Sequence, residues 1–226
     1  MISQIVNLHE LLTKMAIAIF EVPGFEADDV IGTLAKQAKN EEVVIVTGDR
    51  DILQLVNEKT RVLMPVKGIS EAKLFGIAEV VEKMGVMPSE LIELKALTGD
   101  ASDNYPGVTG IGPKTAEELI KKFGTVENIY KNIGEFEGKL KEKLIKGDEN
   151  AKMSKKLATI DTQVPIKLNL KTAEIINLDR PDVRSLFEEW EFRSLIPRLS
   201  GNNKIQVTRN KEKKNKNSAA EQTSLF

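Results

Sequence analysis

Ile5, Leu8, Leu11, Leu12 and Met15 recur at helical spacing, so the chain is expected to open with an amphipathic helix. Residues 16–22 are apolar and stop at Pro23-Gly24, the pattern of a strand closed by a turn. A second helical pattern over residues 28–39 leads into VVIVT at 43–47, a β-branched run that reads as a buried parallel strand. Further helices are expected over 51–57, 77–84 and from Pro88 to near Gly99, with a third strand over 61–65. Helices alternating with strands predict an α/β fold in which helices flank a parallel sheet.

Beyond Gly99 the strand signal fades. Helical stretches are expected over 115–123, 126–130 and 138–157, the last rich in lysine, and closing helices over 183–190 and 194–199. The pattern divides the chain into an α/β core at 1–99, a helical subdomain at 100–199 and a polar, basic tail at 200–226 that reads as disordered. His9 is assigned to a helix surface, and Trp190 to packing with Phe187 and Phe192.

With 226 residues and an apolar fraction of 41 %, the chain can build a core. It has no cysteine and one histidine, which removes disulfides, thiolate metal sites and cysteine nucleophiles and leaves little material for a serine-histidine triad or a zinc hydrolase. No apolar run has the roughly 18 residues needed to span a bilayer, so a soluble intracellular protein without a membrane partner is expected. The net charge of −1 conceals a segregation: residues 204–217 carry six basic residues against Glu212, a local +5, so the remainder sums to about −6.

The acids fall in three turns. Glu26, Asp28 and Asp29 open the second helix; Asp49 and Asp51 follow VVIVTG; Asp100 and Asp103 follow the helix that ends near Gly99. Singly, each has an ordinary explanation: helix-dipole compensation, an N-cap, an Asx-turn. Jointly, two clusters at the carboxyl ends of successive strands would meet at one sheet edge, where the third can join them. Carboxylates crowded in that way are tolerable only if their pKa values rise or cations neutralise them, and an all-oxygen ligand set selects Mg²⁺ or Mn²⁺. A two-metal phosphoryl-transfer site is the chemistry such a set supports.

Residues 106–116 read PGVTGIGPKTA. Pro113 separates Gly112 from Lys114, which breaks a P-loop, and Thr115 stands where a Rossmann fingerprint needs its third glycine. A hairpin between two helices fits instead. Gly107, Gly110 and Gly112 let the backbone approach a phosphate, Pro113 starts a helix whose free N–H groups face it, and Lys114 and Thr115 add charge and a donor. Such a hairpin grips nucleic-acid backbone without reading sequence.

GFEADDVIGTLA, VTGDRDILQLV and LTGDASDNYPGVTGIGPKTA together resemble the 5′-3′ exonuclease (5′-nuclease) domains of bacterial DNA polymerase I, in the flap endonuclease family, over residues 1–199. The resemblance implies a PIN-like core, N-terminally incomplete, followed by a helix-hairpin-helix subdomain. It implies metal-dependent cleavage of 5′ flaps and 5′ ends in DNA during Okazaki-fragment processing and repair, in the bacterial cytoplasm at the nucleoid, by a monomer. By position, Glu26, Asp28, Asp29, Asp49, Asp51, Asp100 and Asp103 match the metal-site acids, with Glu26, Asp49 and Asp51 the catalytic set. Gly107, Gly110, Gly112, Lys114 and Thr115 match the duplex-gripping hairpin, where the family can hold K⁺. The family's first strand, with its further aspartate, and its basic arch have no counterpart here, and no polymerase domain follows. The alternative is therefore a catalytically impaired DNA-structure-binding fragment. At the end of the chain, Gln222, Leu225 and Phe226 resemble the short peptides that dock on the bacterial sliding clamp.

Overall fold

In the computed structural model, which describes residues 2–65, 71–175 and 177–200, the chain begins with helix α1 (Ile2–Lys14). Residues 16–22 form no strand, contrary to the pattern. They are used to close α1: Ala16 adopts the left-handed conformation with φ 56°, and the Ile17 N–H returns to the Leu12 carbonyl at 2.9 Å, a Schellman-type closure. Helix α1 packs against the late helix α8 (Pro181–Glu189). Helix α2 (Ala27–Gln37) starts with a capping box in which Glu26 and Asp29 serve each other's backbone N–H groups.

Among the described residues the sheet has three strands in the order β1 (Val43–Val46), β2 (Thr60–Pro65), β3 (Ala72–Phe75). β1 and β2 are parallel, with Val43 opposite Thr60 and Val46 opposite Leu63. β2 and β3 are antiparallel, with Val62 opposite Phe75. The sheet is thus mixed, and β3 escaped the sequence pattern because AKLF is short and its lysine interrupts the apolar run. Along β2 burial alternates: Thr60, Val62 and Met64 face the core. β1 is an edge strand among the described residues, and only Ile45 is buried; Val44 and Val46 are exposed, so VVIVT is not the doubly buried strand expected.

Helix α3 (Ile77–Met84) and a 3₁₀ turn at Pro88–Glu90 lead to α4 (Leu91–Thr98), which is apolar on most sides and buried accordingly. Leu91, Leu94, Ala96 and Leu97 lie inside, each larger side chain contributing about 1.5–3 kcal/mol by leaving water. Helices α5 (Pro113–Phe123), α6 (Val126–Lys131) and α7 (Gly138–Ala158) surround α4. One continuous core runs from Ile45 and Val62 in the sheet through Leu97 to Ile120, Ile129 and Leu144 in the helices. Helix α8 and the short α9 (Ile196–Leu199) follow. Phe187, Phe192 and Trp190 form an edge-to-face chain with centroid spacings of 5.9 and 6.1 Å. His9 lies on the outside of α1, its Nε2 2.9 Å from Glu21. Gln222, Leu225, Phe226 and the basic tail lie outside the described residues.

Candidate metal centre and phosphate hairpin

Asp51 begins the 3₁₀ turn Asp51–Leu55 just after β1, while Asp100 and Asp103 lie in the loop that follows α4. Folding brings these three together: one carboxylate oxygen from each lies within 4.8 Å of the others. Asp49 sits beside them in the chain, and its Oδ1 accepts the Asp51 N–H at 2.8 Å. The field of Asp49 also reaches Tyr105: burial raises the Tyr105 phenol well above its ordinary value, and the charges of Asp100, Asp103 and Asp49 push the same way. The Tyr105 hydroxyl is buried and has no hydrogen-bond partner.

Glu26, Asp28 and Asp29 are not in the three-acid group among the described residues. Glu26 and Asp29 are occupied at the start of α2, and Asp29 Oδ1 accepts the Asp161 N–H at 2.8 Å, tying α2 to the segment after α7. The single pocket of seven carboxylates anticipated from the sequence is here a group of three with Asp49 alongside.

The sequence pattern did not single out Lys95. It projects from the last turn of α4 between two of the acids, donating to Asp51 Oδ1 and, at 2.8 Å, to Asp100 Oδ2. Its side chain is 12 % exposed and those of Asp51 and Asp100 are 14 % and 20 % exposed, so the ammonium is enclosed by the charges it neutralises. The Lys95 and Ser102 hydrogen bonds hold the Asp100 carboxyl well below the usual carboxylate range, against the opposing pull of burial. Asp100 is also an Asx-turn residue, accepting the Ser102 N–H at 2.8 Å. The signal for Lys95 was present in the sequence as the one cation inside the apolar run LIELKALT.

The hairpin starts where this loop ends. Asp100 and Tyr105 exchange backbone hydrogen bonds of 3.0 and 3.1 Å, so the loop returns to α4. Gly107, at φ 59°, lies so close to the end of α4 that an added Cβ would stand 2.6 Å from the Thr98 carbonyl carbon. Its N–H donates to the buried Ser154 Oγ on α7 at 3.0 Å, and the Val108 N–H donates to the Leu97 carbonyl at 2.8 Å. Helix α7 admits the hairpin because its inner face is small: Gly147, Ala151, Ser154 and Ala158 are buried, and a Cβ on Gly147 would meet Val108.

Val108 and Ile111 of the hairpin are buried in the core, while its polar residues lie nearer the surface. Gly112 caps α5 with open space where a Cβ would be, Lys114 is exposed, and Thr115 is half-buried. The first-turn N–H groups of α5 have no intrahelical acceptors and so offer an anion site beside the Lys114 charge. Gly110, at φ 82°, turns its carbonyl to Lys143 Nζ at 2.8 Å, so a lysine from α7 places a cation on the hairpin. Lys143 was not anticipated either, because the contact spans 33 residues.

The fold and the site define a class: a small α/β domain with clustered carboxylates at a strand end, continuous with a helical domain that carries a glycine hairpin. A family model described as "5'-3' exonuclease, N-terminal resolvase-like domain" matches residues 1–85, and one described as "5'-3' exonuclease, C-terminal SAM fold" matches residues 86–181. The chain belongs to this 5′-3′ exonuclease family. It is 40 % identical over 210 residues to DNA polymerase I of Lactococcus lactis subsp. cremoris (strain MG1363), covering 91 % of this chain and 24 % of that protein. It is 43 % identical over 195 residues to DNA polymerase I of Bacillus subtilis (strain 168), covering 85 % and 22 %. The chain therefore spans about a quarter of the length of these curated relatives. Among solved structures, the T5 5′-exonuclease with bound zinc ions aligns with TM-score 0.60 and 24 % identity, over 80 % of this chain and 64 % of that one. The catalytic core of Rad2 in complex with DNA substrate aligns with TM-score 0.57 and 21 % identity, over 88 % and 70 %. These two establish the fold. No helix among the described residues is long and apolar enough to cross a membrane.

Proposed function

We propose that this chain hydrolyses DNA phosphodiesters at 5′ ends and 5′ flaps with divalent metal ions, in Okazaki-fragment processing and repair at the bacterial nucleoid. The observation that carries the reading is the juxtaposition of Asp51 with Asp100 and Asp103 within 4.8 Å, the latter two on a loop that runs directly into the glycine hairpin. The donor set fits the ion: three carboxylates without histidine or cysteine are hard oxygen ligands, suited to Mg²⁺ or Mn²⁺. Asp51, Asp100 and Asp103 would hold one ion, with Asp49 beside them; Glu26, Asp28 and Asp29 are the candidates for a second. When bound, such ions supply Lewis acidity that activates water and stabilises the departing oxygen.

The chain's own residues supply the rest. The α5 N-terminus, Lys114 and Thr115 grip a phosphate, Gly112 leaves the backbone open to it, and Gly107 and Gly110 set the path of the hairpin. A K⁺ at the hairpin has to share or displace the Lys143 contact with Gly110. The terminal Gln222, Leu225 and Phe226 dock on a sliding clamp in this reading, through a tether that raises local concentration at DNA.

Purified chain incubated with a 5′-flap duplex should cut it only with Mg²⁺ or Mn²⁺. Asp100→Asn should lower the rate by at least about a hundredfold, near 3 kcal/mol of lost transition-state stabilisation, while flap affinity stays within about threefold. Metal-independent binding without cuts, in wild type as in variant, would support the second reading, a DNA-structure-binding fragment. Lys95 favours that second reading, since it already neutralises two of the acids.

A further inference from the structure

Arg50 stands in the chain between Asp49 and Asp51, and with Gly48 it opens a separate cavity of about 470 Å³, also lined by Met64, Pro65, Lys73, Phe75 and Lys83. That volume is in the range of ligand sites. Three cations converge there. Lys73 and Lys83 lie over the buried Phe75 ring, 5.1 and 4.9 Å from its centroid, and both line the cavity. Burial first, and then the charges of Arg50 and Lys73, lower the Lys83 pKa. The carboxylate at the cavity is Glu82, 3.7 Å from Lys73 and 76 % exposed. Among the described residues neither Arg50 nor Lys83 has an ion pair, and the cavity lining carries three cations against one acid.

We propose that this cavity binds a phosphate group of the DNA strand engaged at the acid cluster. The inference rests on the nuclease reading and adds a contact that it does not require. The location identifies the anion. A polyanion that approaches Asp51, Asp100 and Asp103 meets like charge that Lys95 offsets only in part, and Arg50, whose Cα is about 3.8 Å from those of both Asp49 and Asp51, lines the cavity with a further positive charge. A strand with a phosphate at each nucleotide step can therefore place one phosphate at the acids and a neighbouring one against Arg50, Lys73 and Lys83. The phosphate is either an internal phosphodiester or a 5′-terminal phosphate.

The test is fluorescence anisotropy of the full chain in EDTA, where no cutting occurs, on three DNAs: a 5′-flap duplex, a nicked duplex with a 5′-phosphate and the same nick with a 5′-hydroxyl. Lys73→Gln with Lys83→Gln should weaken binding about three- to tenfold and reduce the salt slope by about one, the value for one phosphate contact. The charge-matched pair Lys167→Gln with Lys171→Gln, both exposed, should change affinity less than twofold. Because Lys73 and Lys83 also pack on Phe75, Arg50→Gln is the second variant and should lose affinity in the same way. A loss confined to the 5′-phosphorylated nick assigns the terminal phosphate; an equal loss on all three DNAs assigns an internal phosphodiester. Pocket variants that behave like the Lys167/Lys171 control on every DNA overturn the site while the nuclease reading stands, provided wild type binds. Wild type that binds none of the three overturns both.

Discussion

Replacing Lys95 by methionine, which keeps the length and apolar stem but removes the ammonium, tests the electrostatic state of the acid cluster directly. In the folded protein the ammonium makes two charge-assisted hydrogen bonds, to Asp51 and Asp100, and all three side chains are at most one-fifth exposed. Such bonds contribute about 1.5–3 kcal/mol each. Without them, carboxylates whose oxygens lie within 4.8 Å repel, by about 3 kcal/mol per pair at an effective dielectric near 20. Water entering the site and the relief of lysine desolvation offset part of this, leaving a net loss of about 3 kcal/mol. For a chain of this size that corresponds to a melting temperature lower by about 6–12 °C. The assay is calorimetric melting in EDTA and again at saturating Mg²⁺. Because a divalent ion supplies the charge that methionine lacks, Lys95→Met should gain more from Mg²⁺ than wild type, and the gap should narrow to less than half. Equal melting temperatures in EDTA, or a gap that Mg²⁺ leaves untouched, would refute the reasoning that Lys95 neutralises a cation-demanding site.

Other consequences follow from named contacts. Ser154→Ala strands the buried Gly107 N–H and should cost about 1–3 kcal/mol, measured by urea unfolding, with weaker DNA binding because the hairpin loses its anchor on α7. Glu93, 5 % exposed, accepts the Val126 N–H at 2.9 Å and pairs with Lys155 at 2.7 Å; Glu93→Ala should destabilise by about 3 kcal/mol, the low end for a broken buried pair, because Lys155 keeps Glu127. For pH, Asp100 has a folded pKa depressed below its ordinary 3.8. Its contribution is therefore fully present above that ordinary value and is lost as pH falls through the folded one. In EDTA, the stability difference between wild type and Lys95→Met should hold from pH 7 to about 5 and shrink below about pH 4, followed by melting temperature against pH.

What the sequence made legible depends on the range of the interactions involved. Helices α2, α3, α5, α6 and α7 announce themselves through local periodicity and caps, and the resemblance assigned the family because its three motifs are contiguous stretches. The strand expected at 16–22 failed for a tertiary reason: apolar residues that find no neighbouring strand cannot form a ladder, and Ala16 and Ile17 close α1 instead. β3 was missed because four residues containing a lysine give little period, and they are held in register by pairing with β2. At the site, the acids were visible as residue types, but which of them meet was not. Asp51 and Asp100 are 49 positions apart and converge because α4 carries its C-terminal end to the end of β1, while Glu26 and Asp29 have local capping work that sequence spacing also describes. Lys95, Ser154 and Lys143 escaped notice because each acts on a distant partner, and lysine or serine in a helix is usually a solvated residue.

The loop from Gly99 to Val108 is what makes two features into one device. Gly99, at φ 71°, ends α4 and turns the chain, and a Cβ there would stand 2.6 Å from the Pro106 carbonyl carbon, so the two arms of the loop touch. Between them Asp100 and Tyr105 pair through the backbone in both directions, which fixes the Asp100 carboxylate relative to α4 and therefore relative to Lys95. On the far side, Val108 bonds to Leu97 and Gly107 to Ser154, which fixes the hairpin on the same helix and on α7. Acid cluster and phosphate grip thus share one support, the last turn of α4, whose Leu97 is fully buried. A change that moves one must move the other. Under the proposed function this shared support sets the distance between the phosphate held at the hairpin and the phosphodiester presented to the carboxylates, so the protein would measure its substrate by backbone geometry and need no base contacts.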